Sequence, residues 1–210
     1  MTNLTPTRLH QGGPLLAAGE DLATARAAMV LIHGRGATAQ DILSLVPEFG
    51  AEGIAFLAPQ ASRSTWYPQS FLSPLEVNEP WLSSALQRVG EVLERVEKAG
   101  IARERIYLLG FSQGACLALE YAVRHAGRYA GILGLSGGLI GPPGTCWNGD
   151  GSMSGTPVFL GCSDADPHIP KDRVEESGEV FRSLGADVTV RLYHSMGHLV
   201  NEDELAFVRS

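Results

Sequence analysis

The fold is decided at residues 106–123, which read IYLLGFSQGACLALEYAV. Ile106–Leu109 is a short apolar run typical of a buried strand, and Gln113–Val123 has so few polar positions that its helix should be buried on nearly all sides. Between these segments, glycines stand on both sides of Ser112, which predicts a sharp turn from the strand directly into the helix. We therefore expect an α/β fold with this strand and this helix at its centre.

Further apolar runs predict the rest of the sheet. Four of them are continuous, which is typical of parallel strands covered on both faces. They are Met29–Ile32, Ile54–Leu57, Ile132–Leu135 and Val158–Leu160. A fifth run, Val188–Tyr193, alternates apolar and polar residues and predicts a half-solvated strand nearer the sheet edge. Residues 7–17 are expected to add an antiparallel ribbon.

A helix of about 16 to 18 residues is predicted where apolar residues recur at steps of four and three. These residues are Leu82, Leu86, Val89, Leu93 and Val96. Lys171–Leu184 and Val200–Val208 are expected to form two further helices. Strands that alternate with helices in this way predict a mostly parallel central sheet with helices on both faces.

Residues 137–157 are too rich in Gly, Pro and Ser for a helix and predict a long loop. Its residues 142–155 are interpreted as a flap that could fold over the functional site. Asn148, Asp150 and Ser152 alternate there as in some calcium-binding loops, but the remaining oxygen ligands are missing. No metal site is therefore predicted.

The composition excludes several classes of protein. The chain has 210 residues, 44% of them hydrophobic and 19% charged, and is expected to fold as a single domain over residues 1–210. A net charge of −7 without a Lys/Arg cluster argues against nucleic acid as a partner. No apolar run approaches the roughly 18 residues that cross a bilayer, so stable membrane insertion is not expected. The chain has an odd number of cysteines, and its opening stretch lacks signal-peptide features, which together predict a cytoplasmic protein. Whether the protein forms a homodimer is left open.

Ser112 is the candidate nucleophile. The strand, turn and helix order pushes its hydroxyl out above the helix N-terminus, close to backbone N–H donors. The GxSxG pattern occurs a second time around Ser136, but the residues after that motif read LIGPPGT, which cannot begin a helix. Ser136 is therefore interpreted as a strand-to-loop turn.

A carboxylate and a histidine are needed to activate a serine hydroxyl, and on this type of scaffold both follow the serine in the chain. The loop after Val158–Leu160 offers Asp164 and Asp166. We favour Asp166 because the following Pro167 holds its backbone extended and fixes the base of a short carboxylate.

The loop after Val188–Tyr193 offers two histidines. His194 stands at the strand end, where a side chain packs, whereas His198 follows the flexible Gly197. We therefore favour His198 as the base, and the other histidines of the chain stay unassigned.

Backbone N–H groups of Gln113 and Arg35 are the candidate oxyanion hole. Gln113 follows the nucleophile, and Arg35 stands in the glycine-rich loop HGRG (residues 33–36), where the backbone can turn its amides inward. Cys116 lies one helical turn after Ser112 and is interpreted as a core residue, because burial raises the pKa of a thiol.

Residues 60–81 supply candidate substrate contacts. Trp66, Tyr67, Phe71 and Leu72 are predicted to form part of an apolar wall above Ser112, since aromatic rings give rigid contact area in pockets. A loop pinned to the core by the same aromatic residues is the alternative interpretation.

Seven short segments carry a resemblance to a known family. They are HGRG at 33–36, AP at 58–59, WY at 66–67, GIARERIYLLGFSQG at 100–114, LSG at 135–137, DP at 166–167 and GH at 197–198. In this order they resemble the phospholipase/carboxylesterase family of α/β-hydrolases, which includes the acyl-protein thioesterases. The GFSQG segment is far more specific than the general GxSxG pattern.

The resemblance implies an α/β-hydrolase fold and a serine hydrolase that needs no metal or cofactor. Its small-molecule substrates would be carboxylic esters, thioesters or lysophospholipids. The implied residues are Ser112, Asp166 and His198 for the triad, with the amides of Arg35 and Gln113 for the oxyanion hole. Members with marked lipid thioesterase character resemble HGLGD where this chain reads HGRGA. A cationic side chain at that position favours a smaller or more polar acyl ester over a long lipid.

Three other functions are weighed against this one. A dienelactone hydrolase-like enzyme would carry a cysteine nucleophile where this chain carries Ser112. A non-catalytic binding protein on the same scaffold would be expected to lack a triad member. A nucleotide or flavin binder would need GxGxxG or a phosphate loop after its first strand, and HGRGAT is neither.

Overall fold

A seven-stranded sheet forms the centre of the computed structural model, which describes residues 8–50, 52–147, 149 and 151–209. In chain order the strands are β1 (Leu15–Gly19), β2 (Ala27–Ile32), β3 (Ile54–Pro59), β4 (Ile106–Phe111), β5 (Gly131–Leu135), β6 (Pro157–Ser163) and β7 (Asp187–Tyr193). Their order in space is β1-β3-β2-β4-β5-β6-β7. β1 is antiparallel to β3, and every other neighbouring pair is parallel. The strand that leads to Ser112 is therefore the middle one.

Helices cover both faces of this sheet. They are α1 (Ala39–Leu43), α2 (Val46–Phe49), α3 (Trp81–Lys98), α4 (Gln113–Arg124), α5 (Lys171–Ser183) and α6 (Glu202–Arg209). Helices α3, α4 and α5 pack on one face, and α1, α2 and α6 pack on the other. This arrangement confirms the predicted α/β-hydrolase fold with a mostly parallel sheet. Within the described residues, no helix combines the length and the apolar character that crossing a bilayer requires.

The apolar runs locate the strands to within a few residues. Each predicted strand is present and extends slightly beyond its apolar core, and β7 lies at the sheet edge with half-buried side chains, as its alternation indicates. The ribbon predicted over residues 7–17 is the strand β1, which begins only at Leu15. Thr7 lies outside the described residues.

The described part of the loop over residues 137–156 is held against the core. Ile140 donates its N–H to Glu120 Oε2 at 3.1 Å, and the Trp147 indole N–H donates to the carbonyl oxygen of Ile140 at 3.0 Å. None of the described residues of 142–155 lines the cavity at Ser112, so the structure does not support their interpretation as a flap. Asn148 and Asp150, weighed as calcium ligands, lie outside the described residues.

The turn between β4 and α4 leaves no room for side chains. A Cβ on Gly110 would lie 2.5 Å from the backbone nitrogen of Ala115. A Cβ on Gly114 would lie 2.5 Å from the carbonyl oxygen of His33 and closer still to that of Ile32. Helix α4 therefore packs directly against the end of β2, which brings the loop after β2 next to the turn.

Replacing Gly114 with alanine should destabilise the protein by about 1–3 kcal/mol or more, because the new methyl group meets backbone oxygens that cannot move aside. The measurement is the free energy of urea-induced unfolding. Gly127→Ala is the matched control, since a Cβ there has no neighbour nearer than 3.8 Å. Equal losses in the two variants would contradict this explanation of the turn.

Glu204 is a buried carboxyl group in the first turn of α6. Its Oε2 accepts the N–H of Asn201 at 2.9 Å, and Asn201 Oδ1 accepts the N–H of Glu204 in return. This reciprocal cap explains why the helix begins at Glu202 and not at Val200 as predicted. Oε1 has no hydrogen-bond partner among the described residues, and burial raises the pKa of Glu204 to about 7.

Glu204 should make the protein less stable as the pH rises from 4.5 to about 7. The unfolded chain loses this proton near the ordinary pKa, whereas the folded protein keeps it up to the raised one. Glu204→Gln should remove this dependence. The unfolding free energy of the variant minus that of the parent should therefore be larger at pH 8 than at pH 4, by on the order of 3 kcal/mol. Urea unfolding of both proteins at pH 4 and at pH 8 measures this difference. The same difference at the two pH values would contradict the raised pKa of Glu204.

Candidate active site

Ser112 occupies the turn between β4 and α4 with a backbone that L-residues rarely adopt. Its φ is 56° and its ψ is −121°. Its N–H donates to the carbonyl oxygen of Leu135 at 2.9 Å, and its own carbonyl oxygen accepts the N–H of Cys116 at 3.0 Å. The first bond holds the turn on β5 and the second begins the helix, so the strained conformation, which costs on the order of 1–3 kcal/mol, is fixed from both sides.

A chain of hydrogen bonds joins Ser112 to the two side chains favoured from the sequence. His198 Nε2 lies 2.8 Å from Ser112 Oγ, and His198 Nδ1 lies 2.7 Å from Asp166 Oδ2. Because a carboxylate can only accept, Nδ1 carries the imidazole proton and Nε2 is free to accept the serine hydroxyl. The structure thus brings together residues from the turn after β4, the loop after β6 and the loop after β7.

The side chain of Asp166 is fully buried and is held on both of its oxygens. Oδ1 accepts the backbone N–H groups of His168 at 2.8 Å and Ile169 at 3.1 Å, while Oδ2 faces His198. Burial by itself would raise the pKa of Asp166, but the hydrogen bonds from His198 and from the two amides outweigh it and lower the pKa below its ordinary value. Asp166 is therefore an ionised, immobile partner for the imidazole.

The alternative acid and base form a separate pair. His194 Nδ1 lies 2.9 Å from Asp164 Oδ2, and Asp164 Oδ1 accepts the N–H of Ser195 at 2.9 Å. The His194 side chain is 91% exposed, and neither residue lines the cavity at Ser112. They stabilise the loop after β7 and do not reach the serine.

Ser136, in the second GxSxG motif, lies at the end of β5. Its N–H donates to the carbonyl oxygen of Gly161 at 2.7 Å. Its side chain is fully buried beside the Cys162 thiol. The segment after it continues as a loop, so no helix N-terminus stands behind this hydroxyl.

Arg35 and Gln113, the two residues with candidate oxyanion amides, both bind the segment 65–69 through their side chains. Gln113 accepts the N–H of Trp66 at 2.9 Å and donates to the carbonyl oxygen of Tyr67 at 2.8 Å. Arg35 donates to the carbonyl oxygens of Pro68 at 2.9 Å and of the next residue at 2.7 Å. The loop after β2 runs beside Ser112, because a Cβ on residue 34 would lie 3.3 Å from the Cβ of Ser112.

Ser112 opens onto a cavity of about 460 Å³. Of the predicted wall, Tyr67 and Phe71 line this cavity, whereas Trp66 and Leu72 do not. Trp66 is fully buried, and its indole N–H donates to the carbonyl oxygen of His33 at 2.9 Å. Its polar atom thus finds an acceptor in the core, which turns the ring away from the cavity.

Six lining residues were not singled out as site residues from the sequence. Residues 68–70 lie between the predicted Tyr67 and Phe71, and the other three are Cys116, His168 and Ile169. The His168 ring lies edge-on to the His198 ring at 4.9 Å. The signal that could have located His168 and Ile169 is their position in the loop that carries Asp166. Cys116 could have been located from its position one helical turn after Ser112.

A second cavity, of about 410 Å³, lies on the other side of His198. Its lining is mostly apolar and includes Ile42, Leu45, Phe111 and Leu199. His198 lines both cavities, so the imidazole stands between the cavity at Ser112, whose lining mixes polar and apolar groups, and a mostly apolar one. In the described ranges, no group of three or more His, Cys, Asp or Glu residues is placed to hold a metal ion.

The sequence of this chain matches one family model and several curated proteins. The model of the family described as Phospholipase/Carboxylesterase matches residues 18–210. Acyl-protein thioesterase 1 of Gibberella zeae is 35% identical over 117 residues, 53% of this chain and 50% of that protein. Acyl-protein thioesterase 1 of Eremothecium gossypii is 28% identical over 151 residues, 68% of this chain and 63% of that protein. The chain therefore spans between half and two thirds of the length of these curated relatives.

Similar solved structures cover nearly the whole chain. A phospholipase/carboxylesterase from Dyadobacter fermentans superposes with a TM-score of 0.93 at 41% identity and covers 98% of both chains. Acyl-protein thioesterase 2 of Zea mays has a TM-score of 0.72 at 19% identity, covering 94% of this chain and 96% of that one, which shows a common fold. With the family model matching residues 18–210, the chain belongs to the phospholipase/carboxylesterase family.

Proposed function

We propose that the protein is a serine hydrolase that cleaves carboxylic esters through an acyl-enzyme intermediate. The observation that carries this proposal is the hydrogen-bonded chain from Ser112 Oγ through His198 to Asp166. Its three members stand in the roles of nucleophile, general base and orienting acid. Membership of the phospholipase/carboxylesterase family supports the same chemistry.

Acylation begins when Ser112 Oγ attacks the ester carbonyl carbon. His198 Nε2 takes the hydroxyl proton as the new C–O bond forms, and the carbonyl electron pair moves onto its oxygen. Asp166 remains ionised and stabilises the imidazolium. The tetrahedral intermediate then collapses, the bond to the alcohol oxygen breaks, and His198 gives its proton to the departing alcohol.

The amides of Arg35 and Gln113 are the proposed donors to the oxyanion. Gln113 is the first residue of α4, where the helix dipole also favours negative charge. The loop that carries Arg35 runs beside Ser112, as the short approach of Gly34 indicates. Each well-aligned donor is worth about 10²–10³ in rate.

Deacylation repeats these steps with water as the nucleophile. His198 Nε2 takes a proton from the water molecule, whose oxygen attacks the acyl carbon bound to Ser112 Oγ. The intermediate releases the carboxylic acid, and the serine recovers its proton from the imidazolium. The enzyme therefore returns to its starting state without a cofactor.

Thioesters are the second candidate substrate class, because curated relatives carry the name acyl-protein thioesterase. The same steps break a C–S bond and release a thiol. A cysteine nucleophile, as in dienelactone hydrolase-like chemistry, is not favoured: Cys116 is buried, and that burial raises the pKa of its thiol to about 12. A non-catalytic role would leave the hydrogen-bonded series from Ser112 through His198 to Asp166 unexplained.

Ser112→Ala should lower kcat for a 4-nitrophenyl ester by about 10⁵–10⁶ while the thermal unfolding midpoint changes little. A fluorophosphonate probe should label the parent at Ser112, as seen by peptide mass spectrometry. Ser136→Ala is the matched control from the second GxSxG motif and should keep both the labelling and the turnover. Residual turnover of Ser112→Ala within tenfold of the parent would assign the nucleophile elsewhere.

Asp166→Asn should lower kcat by about 10⁴, because an amide in place of the carboxylate no longer fixes the reactive imidazole tautomer. Asp164→Asn is the control with the same chemical change in the same loop, and it should alter kcat less than about tenfold because it breaks only the pair with the exposed His194. Steady-state kinetics at pH 8 measure both. Comparable losses would mean that the two carboxylates were assigned to the wrong roles.

A further inference from the structure

Among the residues that the structure describes, the cavity at Ser112 is lined by a cationic side chain and by no acidic one. Arg35 lines it, and none of its described lining residues is Asp or Glu. Within the described chain, no carboxylate oxygen lies within ion-pair distance of the Arg35 guanidinium, in contrast to Arg173 and Arg191, which pair with Glu176 and Asp203. No side chain of the described residues thus compensates the charge of Arg35.

The Arg35 guanidinium keeps hydrogen-bonding capacity. It donates to the carbonyl oxygens of Pro68 and Gln69 and, at 3.3 Å, to Thr65 Oγ1. These three bonds use three of the five N–H donors of a guanidinium. Two donors therefore have no acceptor among the described residues, and an anion in the cavity would supply one.

Arg35 is also held in place before any ligand arrives. The segment that it binds is fixed independently by Gln113 and by the buried Asn78, whose Oδ1 accepts the N–H of Gln69 at 2.8 Å. The guanidinium lies 5.8 Å from the centre of the Tyr67 ring. A cation fixed in this way loses little side-chain freedom on binding an anion, which is the condition for strong recognition.

We infer that the preferred substrates are esters that carry a carboxylate on the arm that enters the Arg35 cavity. This inference rests on the proposed function. The guanidinium binds the carboxylate through its remaining donors, and the neutral arm occupies the apolar cavity on the other side of His198. Because the chain has a net charge of −7, its overall field does not attract anions, and recognition depends on Arg35 itself.

The test compares anionic and neutral esters of equal shape. Monoethyl adipate and its carboxamide analogue, ethyl adipamate, place the difference on the acyl arm. The acetate esters of 6-hydroxyhexanoate and 6-hydroxyhexanamide place it on the alcohol arm. The quantity measured is the ratio of kcat/KM for the acid to kcat/KM for the amide, at low ionic strength, by chromatographic assay of the products.

In the parent, the acid should be preferred in at least one of the two series. Arg35→Gln should lower that ratio by about tenfold to a hundredfold, the range of a charge-assisted hydrogen bond, and Arg35→Lys should retain part of it. A substitution at Arg35 could also disturb its backbone amide, which is a proposed oxyanion donor. Such an effect would lower kcat/KM for the acid and for the amide analogue alike, so it cancels in the ratio. Arg63→Gln, an exposed change on the neighbouring segment outside the cavity lining, should leave the ratio unchanged.

Two results would overturn the inference. One is a parent enzyme whose kcat/KM for ester hydrolysis is the same for the carboxamide analogue as for the acid in both series. The other is an Arg35→Gln variant that keeps the acid-to-amide ratio of the parent. In either case, hydrolysis that depends on Ser112 leaves the proposed function standing. Absence of any ester hydrolysis, with no fluorophosphonate labelling of Ser112, would instead remove the proposed function and this inference with it.

Discussion

The close contact between helix α4 and the ends of two neighbouring strands is the constraint on which the rest of the site depends. Gly110 and Gly114 permit it, because a Cβ at either position would overlap the backbone. The contact forces Ser112 into a positive φ and starts a helix immediately behind it. It also places the loop after β2 beside the serine. The positions of the proposed nucleophile and of the proposed oxyanion donors are thus products of one packing arrangement.

The parallel sheet supplies the remaining groups. β4, β6 and β7 point the same way, so the loops that follow them meet at one edge, where Ser112, Asp166 and His198 come together. The sheet alone leaves two carboxylates, Asp164 and Asp166, and three histidines, His168, His194 and His198, available in these loops. The choice between them follows from burial: Asp166 is enclosed and accepts two amides besides the imidazole, whereas Asp164 pairs with a histidine in solvent.

A second layer of polar contacts holds the cavity wall. The side chains of Gln113 and Arg35 bind successive backbone groups of the segment 65–69, so the residues proposed to stabilise the oxyanion also fix the wall opposite it. His33 supports the same region as a buried, neutral imidazole, since burial lowers its pKa and its Nε2 accepts the N–H of Ala61. Rigid support of this kind keeps donors aligned without reorganisation during the reaction.

The sequence by itself determined the strands, the main helices, the glycine-flanked turn and the residues offered as nucleophile, acid and base. These features depend on local periodicity and on short motifs whose geometry is set by neighbouring residues. Only the tertiary structure decided that Tyr67 faces the cavity while Trp66 is turned into the core. It also decided that, among the residues the structure describes, Glu204 Oε1 is buried without a partner and Arg35 lines the cavity without a carboxylate beside it. In irregular segments the direction of a side chain is set by partners dozens of residues away. No periodic pattern in the chain records those partners.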